Sequence, residues 1–189
     1  MGIRIVCYGD SNTYGYDGAD PLGGRFPPEQ RWPELLGGLL GCETVNCGMN
    51  GRRVPRFRRS IENDLALIRR AAPCDAIVVM LGSNDVMCEA EPEDTASHMR
   101  GFLTALTAAV PESAILLCAP PAVREYGDGF AAAFEMLAAL YEALAEELGV
   151  AFADTERWQI PTGGDGLHFS ARGHRIFAVK MAQTLRAIL

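Results

Sequence analysis

Ala76-Ile77-Val78-Val79-Met80-Leu81 is an unbroken apolar run that stops at Gly82-Ser83-Asn84-Asp85. A strand exposed on one face alternates apolar with polar residues, whereas a short continuous run rich in Val and Ile is buried on both faces, as in a parallel sheet covered by helices. The segments on either side repeat that theme. Toward the N-terminus, Ile3 to Tyr8 is a second apolar strand running into Gly9-Asp10-Ser11-Asn12-Thr13, Arg31 to Leu40 has helical apolar spacing, and Thr44 to Cys47 is a weaker strand. A helix spans Ile61 to Ala72 and ends at Pro73. Toward the C-terminus come a helix over Pro92 to Val110, a strand over Ala114 to Cys118 stopped by Pro120-Pro121, a long helix over Phe130 to Leu148, and a strand over Val150 to Ala153. A last helix runs to Leu189 behind Ser170 as its cap. Five strands alternating with helices predict an α/β fold, a parallel sheet with helices on both faces and right-handed connections.

In such sheets ligands bind beyond the carboxyl ends of the strands. Gly9-Asp10-Ser11, Asn46 to Gly51, Gly82 to Asp85 and Asp165-Gly166-Leu167-His168 all follow strands, which places the four blocks on one edge of the sheet. A serine hydroxyl hardly ionises at neutral pH, so it attacks a carbonyl only when a positioned base takes its proton and a third group orients that base. Ser11 is the candidate nucleophile, His168 the base and Asp165 its orienter. Acyl transfer also needs donors aimed at the tetrahedral oxyanion, and the amides of Ser11 and Gly51 with the carboxamide of Asn84 would supply them. Asp10 and Asp85 are expected to fix their turns by side-chain to backbone bonds, Asp10 also lying close enough to the nucleophile to meet substrate. His98 and His174 lie within helices and are read as surface or packed residues, and Cys7 and Cys88 as structural thiols.

Two groups of residues have competing readings. Tyr14, Tyr16, Phe26, Trp32, Trp158 and Phe169 could wall a pocket for a small acyl or aryl group, or could be core, the better reading for Trp32. Arg52, Arg53, Arg56, Arg58 and Arg59 could attract an anionic substrate or a phosphate, or form a solvated face paired with the protein's own carboxylates. Arg52, next to Gly51, is expected to brace the loop or touch the leaving group.

Composition narrows the classes. The 189 residues carry a net charge of −7, which argues against whole-domain attraction to nucleic acid or anionic membranes. Neither linker nor repeat divides the chain, so residues 1–189 are read as one domain. The apolar runs are shorter than a membrane span and no basic, apolar leader precedes Ile3, which makes a cytoplasmic protein the default. The six cysteines include no CxxC pair, so neither a metal site nor a disulfide framework is implied, and no cofactor is expected. Alanines on more than one stripe of Phe130 to Leu148 imply a second buried face and a homodimer or larger assembly.

Taken together, GDSNTYGY from Gly9, RWPELL from Arg31, NCGMNGR from Asn46, MLGSND from Met80 and DGLHFS from Asp165 resemble the SGNH, or GDSL-type, hydrolase superfamily. The four eponymous residues map onto Ser11, Gly51, Asn84 and His168, and the likeness is greatest to small bacterial arylesterases and acyltransferases. The resemblance implies a flavodoxin-like three-layer sandwich, serine esterase chemistry and no metal. The reaction it implies is cleavage of a small carboxylic ester, acetyl or aryl, through an acyl-enzyme, with water or an alcohol as second acceptor. Tyr14 and Tyr16 depart from the tryptophans carried by related acyltransferases. The rival reading is a catalytically silent binding or scaffold protein on the same fold, since fold alone does not fix function.

Overall fold

The structure is a computed structural model describing residues 2–189, apart from the side chain of residue 124. Five strands, β1 (Arg4–Gly9), β2 (Glu43–Gly48), β3 (Ala76–Met80), β4 (Ala114–Ala119) and β5 (Ala151–Asp154), form one parallel sheet in the order β2-β1-β3-β4-β5. This is the flavodoxin-like order, and its direction of winding reverses between β1 and β3. Successive side chains on a strand point to opposite faces. Val6, Tyr8, Ile77, Val79, Ile115 and Leu117 therefore share one buried face, while Ile5, Cys7, Val78, Met80, Leu116 and Cys118 share the other.

Both faces need cover. On the first lie α3 (Arg58–Arg70), α5 (Pro92–Ala109) and α6 (Asp128–Leu148), which bury Ile68, Phe102, Leu106, Phe134 and Tyr141 against it. On the second lie α2 (Trp32–Leu40) and α7 (Ala171–Leu185), which bury Trp32, Leu36, Phe177 and Met181. Each fully buried side chain of this size contributes about 1.5–3 kcal/mol relative to exposure. Trp32 is core, packed 5.0 Å from the Phe177 ring. On α6 a single stripe is buried, and the face carrying Ala132, Met136 and Ala139 stays open in the single chain. No helix among the described residues is long and apolar enough to cross a membrane.

The structure differs from the sequence reading at element ends and in two short helices. Segments read as loops contain α1 (Ser11–Tyr14) and α4 (Ser83–Met87), each too short to show an apolar period. The helix read from Ile61 begins at Arg58, because the hydroxyl of Ser60 accepts the Phe57 amide and Arg58 pairs with Glu62 one turn on. Neither bond has an apolar signature. Gly48, at the end of β2, lets α1 sit on the sheet edge, since a side chain there would collide with the Tyr14 backbone.

Candidate active site

Ser11 opens α1 directly beyond β1, and the preceding Asp10 caps the helix by accepting the Asn12 amide at 3.0 Å. The 165–168 loop precedes α7, whose start is held by the Ser170 hydroxyl accepting the Gly173 amide at 3.1 Å. These two segments meet at the edge of the sheet. His168 Nε2 lies 3.0 Å from Ser11 Oγ, and His168 Nδ1 lies 2.7 Å from Asp165 Oδ2. A carboxylate only accepts, so Nδ1 carries the proton and Nε2 is left to accept from the serine hydroxyl. The other oxygen of Asp165 accepts the backbone amides of Leu167 and His168, each at 3.0 Å, so one side chain shapes the loop and orients the ring together.

The electrostatics suit a charged orienter. Burial raises the Asp165 pKa, but the His168 ring and the two loop amides outweigh it and hold the carboxyl below its ordinary range. Asp10 behaves oppositely. Burial pushes it up to about 6, against the Asn12 amide, the Ser83 hydroxyl and the charges of His168 and Arg52. Asp10 is thus a buried cap, as its turn-fixing reading expects.

The expected oxyanion donors come from two further strand ends. Gly51 has φ 70°, in the left-handed region that favours glycine, and is exposed. Asn84 lies in α4, and its Nδ2 donates to the Arg52 carbonyl at 3.0 Å, which joins it to the Gly51 loop and leaves its second N–H without an acceptor among the described residues. The loop is held from below. Arg52 is buried, donates to the Gly9 carbonyl at 3.0 Å and to the Cys47 carbonyl, and stacks 4.4 Å over the Tyr8 ring. It braces the loop, the first of the two roles expected for it. Asp85 accepts the Val54 amide at 3.0 Å and Arg56 at 3.1 Å, which ties the same loop to α4. Arg56 therefore precedes α3 and serves a buried carboxylate instead of a solvated face.

The aromatic expectations are corrected in part. Phe169 is 2% exposed and packs on His174 and Phe177, and Trp158 packs on Phe177 with Lys180 over its ring, so both are packing residues. Tyr14 is covered by the Arg25 guanidinium 4.1 Å from its ring. The aromatic ring against the candidate base is Tyr16, 4.5 Å from the His168 ring. His174 is fully buried, and burial together with the charge of Arg31 lowers its pKa to about 4. Burial likewise pushes the thiols of Cys7 and Cys118 up, which keeps them inert. Among the described residues no group of three or more His, Cys, Asp or Glu could hold a metal ion.

Two positioning features were missed in sequence. Asn12 Oδ1 accepts the Phe169 amide at 2.8 Å and Asn12 Nδ2 donates to the Leu167 carbonyl at 3.4 Å, clasping the two halves of the site. Gly18 lies so close to the Asp165 carboxylate that a side chain there would collide with it. Neither belongs to a periodic pattern. The only local signal was an amide side chain, able to donate and accept, directly after the candidate nucleophile.

A model of the GDSL-like lipase/acylhydrolase family matches residues 7–176. Among solved structures, the chain is similar to an aryl esterase of M. smegmatis, with 27% identity, TM-score 0.86, and 99% of this chain and 100% of that one covered. It is also similar to a carbohydrate acetylesterase family member from Sinorhizobium meliloti, with 27% identity, TM-score 0.84, and 99% of each chain covered. No curated protein matches the chain in sequence.

Proposed function

The chain belongs to the GDSL-like lipase/acylhydrolase family, and from that premise we propose that it is a carboxylic-ester hydrolase acting through an acyl-enzyme on Ser11. The observation that carries this reading is the unbroken hydrogen-bonded path from Ser11 Oγ through the His168 ring to the Asp165 carboxylate. Ser11 Oγ attacks the ester carbonyl as His168 Nε2 takes its proton, and the imidazolium formed is stabilised by Asp165. The developing oxyanion accepts from the Ser11 and Gly51 amides and from the free N–H of Asn84. As the tetrahedral species collapses, the C–O bond to the leaving alcohol breaks and His168 returns the proton to it. Water, or a second alcohol, then attacks the acyl-Ser11 carbonyl by the same proton path in reverse.

Small acetyl and aryl esters are the substrates proposed, supported by what the similar structures are named for. The test is a panel of p-nitrophenyl esters from acetyl to palmitoyl, together with acetylated sugars. Turnover highest at acetyl and falling with chain length is expected. A maximum at long chains would refute the small-ester reading, and no turnover of any member would favour a silent scaffold.

A further inference from the structure

The arginine run beside Gly51 resolves residue by residue. Arg52 is buried under its loop 3.9 Å from Asp64, Arg56 is bound to the fully buried Asp85, and Arg58 is bound to Glu62. Arg53 has no carboxylate partner among the described residues. It lines a cleft of about 490 Å³ whose wall includes Gly51 itself, with Met49, Pro55 and Phe57 around it. Met49 is 50% exposed and Phe57 75% exposed, unusual for apolar side chains of their size. Three arginines, Arg52, Arg53 and Arg56, line this cleft, and Asp64 with the bonded Asp85 answers two of them. One positive charge is left over, in a chain whose net charge is −7.

We propose that this cleft binds the anionic end of a small ester, a carboxylate or sulfonate carried on an apolar or aromatic stem, with Arg53 facing the charge and Met49 and Phe57 the stem. The proposal rests on the ester-hydrolase reading, because Gly51, the proposed oxyanion donor, forms part of the cleft's wall. A guanidinium at the mouth of a site attracts an anion by about fivefold in affinity when solvent screens the pair. Salt weakens that attraction.

The test compares kcat/KM for matched anionic and neutral esters. One arm places the charge on the leaving group, 4-acetoxybenzoate against its methyl ester. The other places it on the acyl group, mono-p-nitrophenyl adipate against p-nitrophenyl hexanoate. In at least one arm the anionic-to-neutral ratio is expected to fall about fivefold in Arg53→Gln, to fall further in Arg53→Glu, to be kept by Arg53→Lys, and to shrink at high salt. Arg59→Gln, changing an exposed arginine that does not line the cleft, is expected to leave the ratio in place. Ratios unmoved by Arg53→Gln in both arms, while the neutral esters are still hydrolysed, would overturn the proposal alone. Failure of the wild type to hydrolyse any of the four esters would overturn the ester-hydrolase reading, and the cleft assignment with it.

Discussion

The side-chain oxygen of Asn12 accepts the backbone N–H of Phe169 at 2.8 Å, so the residue after Ser11 grips the residue after His168. With the second bond from Asn12 to the Leu167 carbonyl, one amide sets the spacing between α1 and the 165–168 loop. The 3.0 Å reach from His168 to Ser11 depends on that spacing. Misplacement of reacting groups by about 1 Å can lower a rate by about 10²-fold.

Asn12→Ala is therefore expected to lower kcat by about tenfold to a hundredfold with little change in KM. It should also destabilise the fold by about 1–3 kcal/mol, since the buried Phe169 amide loses its acceptor. Urea unfolding and steady-state kinetics on the same preparation check both. Wild-type kcat in a destabilised variant would reduce Asn12 to a structural clasp.

Asp165→Asn keeps an oxygen for the Leu167 and His168 amides but no longer selects the ring tautomer, so kcat should fall by about 10⁴ with the loop intact. Gly18→Ala should act on the same pair by pushing the carboxylate off His168, with a smaller loss of rate. An Asp165→Asn enzyme within a few-fold of wild type across neutral and alkaline pH would demote the triad to a Ser-His dyad.

On the oxyanion side, Asn84→Ala should lower kcat by about 10²–10³ and change KM less, because its free N–H matters most in the transition state. Asp85→Ala acts indirectly. It leaves the Val54 amide and Arg56 without their shared acceptor, which should loosen the Gly51 loop and lower both Tm and kcat. Thermal melts separate the two variants: Asn84→Ala is expected to melt closer to wild type than Asp85→Ala.

Two buried titrations should oppose each other in mild acid. His174 is held near 4, so the unfolded imidazole takes up a proton that the native one refuses, and stability is lost as pH falls from about 6.5 toward 4. Asp10 is pushed up to about 6, so the native carboxyl binds a proton that the unfolded one has released, and stability is gained as pH falls from about 6 toward 4. Asp10→Asn should steepen the acid loss seen by urea unfolding, and His174→Asn should flatten it. Parallel profiles for both variants and wild type would contradict these assignments.

How much of this could be read in the sequence depended on whether the signal was periodic. The strands were legible because Ala76 to Leu81 and Ile5 to Tyr8 are buried on both faces and so are apolar without interruption. The candidate triad was legible because three chemically distinctive residues stand in turns next to strands or helices. Asn12 and Gly18 were not legible as positioning residues, and Asp85, read as fixing its own turn, instead holds Val54 and Arg56, because each acts through a bond or contact to a segment far away in sequence. Phe169 and Trp158 misled for the converse reason. An aromatic residue beside a catalytic loop has the same local sequence whether it turns into the pocket or, as here, onto Phe177.

On the proposed mechanism, Ser11 is a nucleophile activated by His168. The most direct measurement is intact mass after treatment with a fluorophosphonate probe, on wild type, Ser11→Ala and His168→Ala. One probe per wild-type chain is expected, located on Ser11 by peptide mapping, with none on Ser11→Ala and labelling of His168→Ala slowed by several orders of magnitude, matching a loss of kcat of about 10⁶ in either variant. Ser11→Ala labelled as fast as wild type, or a wild-type label mapped to another residue, would contradict it.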